Sequence, residues 1–274
     1  MTTMDWSAQG GSGPANYQQF LVPAMFDPFA KTLMEQAGVE PGQRVLDIAC
    51  GTGAASRAAA RAAGPDGSVT GVDLGDPTLA VARSFEPEEG AAPIEFLQAD
   101  ATQLPVEDGS FDIAICQQGL QFFPDKPAAL AELRRALKPG GRLAIATWTD
   151  VEHNPFGAVV EALERHVGRE AGEVLRSPFA LKSAELERLV TDAGFEDVEV
   201  RAEEQECTWD ARPEEFAPRT IAAGPLAASF AAAPEEAQQA VAADAGQLLA
   251  GHVTPEGKVR MPMVSNIALA RAPG

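Results

Sequence analysis

Two patterns of apolar positions alternate along the chain between about residue 43 and residue 147. Short apolar runs of the strand type are separated by alanine- and leucine-rich stretches with helical spacing. The pattern predicts strands at 44–48, 68–73, 94–98, 112–116 and 142–147, and helices near 54–63, 77–84 and 126–137. A strand–helix alternation of this kind indicates a parallel sheet covered by helices on both faces.

Beyond residue 148 this alternation is interrupted. The segment 156–167 has a helical apolar stripe with no strand before it, and 213–250 is a long alanine-rich stretch of helical type. Between them, 183–193 is predicted as a helix and 198–201 as a strand. The segment 258–270 is predicted as a closing strand, antiparallel and at or near the sheet edge. We therefore expect an α/β fold with a doubly wound, mostly parallel sheet of about seven strands and a helical cap.

The domain organisation is predicted from the same changes of pattern. Residues 1–38 are expected to form an N-terminal lid segment, disordered in part, and residues 39–150 a Rossmann-like core. The helical cap would come from two insertions, one after the fifth strand and one before the last strand. The remaining segments are assigned as a cap helix at 151–178, core at 179–206, helical cap at 207–256 and the closing strand at 257–274.

Charge and composition narrow the function classes. The 274 residues include 21 basic and 40 acidic side chains, a formal net charge of −19, so nucleic acid is not expected as a partner. No apolar stretch has the length of a membrane span, and the N-terminus lacks the basic and apolar regions of a signal peptide, so we expect a cytoplasmic protein. Cys50, Cys116 and Cys207 have neither zinc nor disulfide spacing, which indicates reduced, buried thiols and no metal.

A glycine turn follows the first predicted strand. The sequence VLDIACGTG at 45–53 runs from a buried strand into a turn and then into a helix. Gly51 and Gly53 allow the backbone to turn sharply and to approach a ligand closely, and Asp47 places a carboxylate beside that turn. The arrangement indicates a nucleoside-containing ligand at the carboxyl end of the strand.

Two more acids stand at the ends of the next two strands. Asp73 is placed to accept hydrogen bonds from two ribose hydroxyls, and Asp100 can accept one from an adenine amino group. A dinucleotide fingerprint would need a third glycine where Ser56 stands, and Ala49 occupies the region of the first glycine. This disfavours a pyrophosphate, although an NAD(P)-dependent oxidoreductase remains an alternative.

Five segments follow one another in a specific order between about residues 41 and 148. They are 45–53, 72–73, 98–105, 109–118, and 130–148 with its LKPGGRL turn. Together they resemble the class I S-adenosylmethionine-dependent methyltransferases, and most closely the small-molecule group similar to ubiquinone/menaquinone biosynthesis enzymes (methyltransferase type 11). The resemblance implies a bacterial transferase of class EC 2.1.1.-, with S-adenosylmethionine as cofactor, S-adenosylhomocysteine as product and no metal.

The resemblance also implies a role for individual residues. The implied cofactor-binding residues are Tyr17, Asp47, Ala49, Gly51, Gly53, Asp73, Leu74, Asp100, Ala101 and Gln117. Asp47 and the glycines would line the methionine part, Asp73 would hold the ribose, and Asp100 with Ala101 would bind the adenine. Leu74 would flank the adenine and Gln117 would approach the methionine end. Tyr17 would cover the cofactor from an N-terminal helix, with simple packing as the alternative.

The loop after the fourth strand is where this fold meets its acceptor. Gln118 and Gln121 can position a polar substrate by hydrogen bonds but cannot act as general bases. Phe122 and Trp148 favour an apolar or planar acceptor, with a purely structural core role as the alternative. His153 is the candidate general base because its ordinary pKa lies near neutrality, with a capping or surface role as the alternative.

The expected reaction is therefore methyl transfer to oxygen, nitrogen or carbon of a small-molecule acceptor, by a monomer or a homodimer. A methyltransferase-like domain that binds the cofactor without methylating is the main alternative. A non-enzymatic interaction protein, which would bind no small ligand, is a further one.

Overall fold

A seven-stranded sheet is the framework of the computed structural model, which describes residues 12–149, 151 and 154–274. The strands are β1 (Arg44–Ile48), β2 (Ser68–Asp73), β3 (Ile94–Gln98), β4 (Phe111–Gln117), β5 (Leu137–Trp148), β6 (Glu196–Thr208) and β7 (Arg260–Arg271). Their order is β3-β2-β1-β4-β5-β7-β6. The pairs among β1 to β5 are parallel and β7 runs antiparallel to β5. The predicted doubly wound α/β fold is confirmed.

Eleven α-helices connect and flank these strands in the described part of the chain. They are α1 (Gly13–Phe20), α2 (Asp27–Ala37), α3 (Ala54–Ala63), α4 (Asp76–Arg83), α5 (Lys126–Ala136), α6 (Pro155–His166), α7 (Arg169–Arg176), α8 (Ser183–Asp192), α9 (Pro213–Ala222), α10 (Ala227–Ala231) and α11 (Glu235–Leu249). None of the described helices is both long enough and apolar enough to span a membrane.

Alternate residues of each central strand build two separate apolar layers. On one layer, Leu46 and Ile48 of β1 pack with side chains of α5 and α8. On the other, Val45 packs with side chains of α2 and α3. Because successive strand residues point to opposite faces, strands that are buried on both sides need apolar residues at every position. This explains why β1 and β4 are almost continuously apolar.

The chain divides into two compact units. The sheet unit comprises 27–149, 181–203 and 265–274, and the helical unit comprises the described residues of 1–26, 150–180 and 204–264. Helix α2, which falls within the predicted lid segment 1–38, belongs to the sheet unit and packs against α3, β4 and β5. Helix α1, also within that segment, begins at Gly13 and belongs to the helical unit.

Aromatic side chains form the core of the helical unit. The Trp209 ring centroid lies 5.4 Å from that of Phe216 and 6.3 Å from that of Phe156, in edge-to-face arrangements. Phe20 and Phe179 extend the same cluster. Helix α11 packs against α6 and α9.

The stretch 213–250 forms three helices rather than one continuous helical segment. Helix α9 ends before Gly224 and Pro225, and Pro234 stands at the start of α11. Proline lacks a backbone N–H and clashes with the preceding turn, so each of these positions favours a break. The predicted helical stretch is therefore present as three helices.

Candidate cofactor and acceptor site

The loop after β1 turns through three residues with left-handed backbone. Ala49, Gly51 and Gly53 have φ values of 52°, 55° and 83°. A Cβ added at Gly51 would meet no atom within 4 Å, so the turn borders open space there. Gly53 caps the first turn of α3, and the amide N–H groups at a helix N-terminus favour a negatively polarised or hydrogen-bond-accepting ligand group.

Asp47 lies fully buried at the carboxyl end of β1. Its Oδ2 accepts a hydrogen bond of 2.6 Å from Ser56 Oγ, whereas its Oδ1 is buried with no hydrogen-bond partner among the described residues. Burial raises the pKa of Asp47 to about 7, and the nearby Asp73 carboxylate adds to the rise. A buried carboxylate with a vacant oxygen is suited to a cationic hydrogen-bond donor.

Asp73 joins the loops after β1 and β2. Its Oδ2 accepts from the Gly51 N–H at 2.9 Å and its Oδ1 accepts from the Gly75 N–H at 2.8 Å. Burial raises the pKa of Asp73, although these backbone hydrogen bonds oppose the rise. Since each carboxylate oxygen has two acceptor sites, the side chain can still accept hydrogen bonds from two hydroxyls.

The loop after β3 carries Asp100 in an exposed position. Its Oδ1 accepts hydrogen bonds of 2.8 Å from both the backbone N–H and the hydroxyl of Thr102, and these bonds lower the pKa of Asp100. Gln98 at the end of β3 donates to the Leu74 carbonyl at 3.0 Å. The Leu74 side chain is 55% exposed, an apolar surface beside the acidic loops.

The loop after β4 carries neutral amides instead of acids. Gln117 and Gln118 are both buried, and Gln118 has a left-handed φ of 57°. The Gln118 N–H donates to the Ala146 carbonyl of β5 at 2.8 Å. A Cβ at Gly119 would lie only 2.5 Å from Ala49 Cβ, so the loops after β1 and β4 touch at this glycine.

Comparison with known proteins follows the same segment of the chain. Residues 46–145 match the family model described as a methyltransferase domain. The ubiquinone/menaquinone biosynthesis C-methyltransferase UbiE of Shewanella halifaxensis is 33% identical over 178 residues, 60% of this chain and 71% of the relative. The chain belongs to the UbiE-like class I methyltransferases. It is a methyltransferase that depends on S-adenosylmethionine.

Two further matches support the assignment to this family. The protein of the same name from Ectopseudomonas mendocina is 44% identical over 113 residues, but the match spans only 41% of this chain and 44% of the relative. A protein classed as a methyltransferase from Bacillus halodurans has a crystal structure with a TM-score of 0.57 and 26% identity, covering 89% of this chain and 99% of that one. The family-model match covers residues 46–145, and the fold similarity extends over 89% of the chain.

The residues of this methyltransferase fit S-adenosylmethionine. The buried Oδ1 of Asp47 has no partner in the described part of the chain, Gly51 borders open space, and Asp73 retains acceptor capacity. The ammonium group of the cofactor would pair with Asp47, and its methionine chain would pass over the turn at Gly51. Its two ribose hydroxyls would donate to Asp73. Among the described residues, no three His, Cys, Asp or Glu side chains are grouped to hold a metal ion.

The aromatic candidates of the methyltransferase have different surroundings. Trp148 is buried and its ring meets Phe29 edge-to-face, with centroids 5.2 Å apart. Phe122 is half-buried in the 3₁₀ turn Leu120–Phe122. The Trp148 ring therefore contributes to the packing of α2 on β5. This contact fits the alternative that Trp148 has a structural role in the core.

Two candidates do not belong to the described part of the sheet unit. Tyr17 belongs to the helical unit, where its ring packs against Phe26 with centroids 5.0 Å apart. His153 lies outside the described residues. The two described histidines, His166 and His252, belong to the helical unit, and His166 hydrogen-bonds to Asp244 at 2.7 Å.

Sequence reasoning missed three polar residues at this edge of the sheet. Ser56 donates a hydrogen bond to Asp47. Its place in the sequence, where a dinucleotide-binding loop would have a third glycine, was the one feature that marked it. Thr147 and Ser265 are both fully buried beside Gln118. Nothing local marks Ser265, because its contact with Gln118 joins positions 147 residues apart.

Proposed function

We propose that this methyltransferase transfers the methyl group of S-adenosylmethionine to a small-molecule acceptor with an apolar or aromatic body, and that the acceptor atom is carbon. The observation that carries the proposal is the meeting of two chemically different loops at Gly119, one acidic and one neutral. Relatives named as ubiquinone/menaquinone biosynthesis C-methyltransferases support carbon as the acceptor atom.

The acidic loops would hold the cofactor. Asp47 would pair with the ammonium of the methionine part through its vacant Oδ1, and Asp73 would accept hydrogen bonds from the ribose hydroxyls. Leu74 would cover the adenine, and the Asp100 carboxylate with Ala101 would bind its polar edge. Gln117, buried at the end of β4, would lie at the methionine end.

The chain contributes alignment more than proton chemistry. S-adenosylmethionine, when bound, supplies a methyl group on a sulfonium whose displacement releases a neutral thioether. Gln118 and Gln121 would hold the acceptor in line and keep water out, which converts an encounter in solution into an oriented one. Methylation of a ring carbon also releases the proton that this carbon carried. Neutral amides do not take a proton, so His153 would be the base that accepts it.

The direct test is transfer of a labelled methyl group. The purified protein is incubated with methyl-labelled S-adenosylmethionine and a panel of quinols, phenols and amines, and the position of the label in the product is determined. Label on a ring carbon of a quinol or phenol supports the proposal, and label on oxygen or nitrogen alone overturns the choice of carbon. Cofactor binding with no labelled product from any acceptor would favour the alternative of a domain that binds without methylating.

A further inference from the structure

Around the loop after β4, three buried polar atoms have no hydrogen-bond partner among the residues that the structure describes. They are Gln118 Oε1, Gln121 Nε2 and Thr147 Oγ1. Gln118 is 4% exposed and Thr147 is 0% exposed. A buried polar group without a partner is destabilising. All three atoms belong to residues that lie on the segment 146–148 of β5 or hydrogen-bond to it, so a polar group bound beside this segment could satisfy them.

The orientation of the Gln118 amide is fixed by Ser265. The Ser265 hydroxyl oxygen lies 3.1 Å from the Thr147 carbonyl and 3.4 Å from the Asn266 carbonyl. Because carbonyls only accept, the single hydroxyl hydrogen of Ser265 is donated to them. Its remaining partner, 2.9 Å away, must therefore be a donor, which is Nε2 of Gln118. The acceptor atom Oε1 is thereby left vacant.

The orientation of the Gln121 amide is fixed by the same logic. The Trp148 backbone N–H can only donate, and it lies 3.2 Å from the side chain of Gln121. The atom that receives this bond must be Oε1. Gln121 is therefore left with Nε2 as a vacant donor.

Both glutamines are anchored on β5 at positions that flank Thr147. Gln118 bonds through its backbone N–H to the Ala146 carbonyl, and Gln121 bonds through its side chain to Trp148. Residues 146–148 of β5 thus carry Thr147 and the hydrogen bonds that anchor both glutamines. The vacant groups are one acceptor (Gln118 Oε1), one donor (Gln121 Nε2) and one hydroxyl (Thr147 Oγ1), and all three are uncharged. A partner that both donates and accepts, and that carries no charge, matches this set.

We propose that Gln118, Gln121 and Thr147 bind a neutral hydroxyl group of the acceptor, such as a phenol or an enol, and that Ser265 is a positioning residue that holds the Gln118 amide in the required orientation. This rests on the proposed function and narrows it to acceptors with a hydroxyl. Gln118 Oε1 accepts the hydroxyl hydrogen, and Gln121 Nε2 donates to the hydroxyl oxygen.

The test is a calorimetric titration of the protein saturated with S-adenosylhomocysteine. The probes are 1-naphthol, 1-methoxynaphthalene and 1-naphthoate, which share a ring system and differ in the polar group. We expect 1-naphthol to bind about tenfold or more tightly than 1-methoxynaphthalene, since the ether has no hydrogen for Gln118 Oε1. The carboxylate, which at neutral pH is charged and lacks a donor, should bind more weakly than the phenol.

Variants separate this role from a structural one. Gln118→Gly removes the amide, and glycine adopts the left-handed backbone of this position at no cost, so the protein should fold. Ser265→Ala removes the group that orients the amide. Both should bring the affinity ratio of phenol to ether close to one and leave the dissociation constant of S-adenosylhomocysteine unchanged. Ser110→Ala, which also removes a hydroxyl bonded to a backbone carbonyl, should keep the wild-type ratio.

The outcomes distinguish this inference from the function on which it rests. If S-adenosylhomocysteine binds and 1-naphthol does not, or if phenol and ether bind equally, the hydroxyl site is wrong and the methyltransferase proposal stands. If S-adenosylhomocysteine does not bind, the proposed function fails and this inference with it. An unchanged ratio in both Gln118→Gly and Ser265→Ala would also overturn it.

Discussion

The loops after β1, β2 and β3 differ in chemistry from the loop after β4, although all four leave the same edge of the sheet. Asp47 and Asp73 stand at the carboxyl ends of β1 and β2, beside the loops that follow, and Asp100 lies in the loop after β3. The loop after β4 carries Gln118 and Gln121. Carboxylates suit an ammonium and hydroxyl groups that donate hydrogen bonds, and amides suit a neutral group that both donates and accepts. Under the proposed function, the loops after β1, β2 and β3 would bind the charged cofactor and the loop after β4 would bind the uncharged acceptor.

Replacing Asp47 should affect the cofactor most strongly. Asp47→Asn keeps the size of the side chain and removes its charge, so we expect S-adenosylmethionine to bind about 10–100-fold more weakly, measured by calorimetry. Asp112→Asn is the control, because Asp112 is also a strand carboxylate but is only partly buried and is engaged by the Arg44 N–H and Lys138. Equal affinities for the two variants would break the assignment of the acidic loops to the cofactor.

Gly119 is the position where the acidic and the neutral loops meet. A Cβ there would lie 2.5 Å from Ala49 Cβ and 2.9 Å from Cys116 Sγ, so Gly119→Ala should destabilise the protein by about 1–3 kcal/mol in denaturant unfolding. Gly224→Ala is the control, since a Cβ there meets only ordinary contacts at 3.6 Å or more. A Gly119→Ala protein as stable as the wild type would show that the two loops do not touch.

Proton binding at Asp47 should make cofactor affinity depend on pH. The pKa of Asp47 is raised to about 7 by burial, so the carboxylate that pairs with an ammonium is lost as pH falls below this value. S-adenosylmethionine should bind about tenfold more weakly per pH unit below 7, and Asp47→Asn should lack this slope. A wild-type affinity that is constant from pH 8 to pH 6 would contradict the role of Asp47.

The same proton should act on folding with the opposite sign. The unfolded chain releases it near the ordinary pKa of 3.8, while the folded, cofactor-free protein keeps it up to about pH 7. The stability contribution is therefore present below about pH 4 and is lost as pH rises to 7, by about 4 kcal/mol in total. Denaturant unfolding of the wild type should thus lose stability relative to Asp47→Asn across this range.

The smallest expected effect concerns the adenine end. Asp100 is exposed and already accepts two hydrogen bonds from Thr102 on one oxygen. Asp100→Ala should weaken S-adenosylmethionine binding by about 0.5–1.5 kcal/mol, the usual contribution of a hydrogen bond that is accessible to water. Asp108→Ala, another exposed loop carboxylate, is the control. An equal change in affinity in both variants would show that Asp100 does not bind the cofactor.

Much of the fold was predictable because its signals are local. The predicted strands 44–48, 68–73 and 94–98 have the observed bounds, since each is a short apolar run between turn residues. Strand β6 is longer than predicted because its Glu196–Thr208 segment is largely exposed and its polar alternation does not resemble a buried strand. An apolar pattern detects burial rather than strand geometry.

The positions of the acidic candidate residues were predictable for the same reason, whereas the contacts of Gln118 were not. Asp47 and Asp73 stand next to glycine turns, so their positions at strand ends follow from the sequence alone. The hydrogen bond that orients Gln118 comes from Ser265, and the contact exists only after β7 has inserted beside β5. The apolar pattern predicted an antiparallel closing strand but not its register. The register, which pairs Ser265 with Trp148, is what brings Ser265 to Gln118.

The most direct measurement is calorimetric titration of the intact protein with S-adenosylmethionine, S-adenosylhomocysteine and NADH at pH 8. The assignment of the acidic loops predicts that the first two bind with micromolar affinity and that NADH does not. Binding of NADH, or binding of none of the three, would contradict the account.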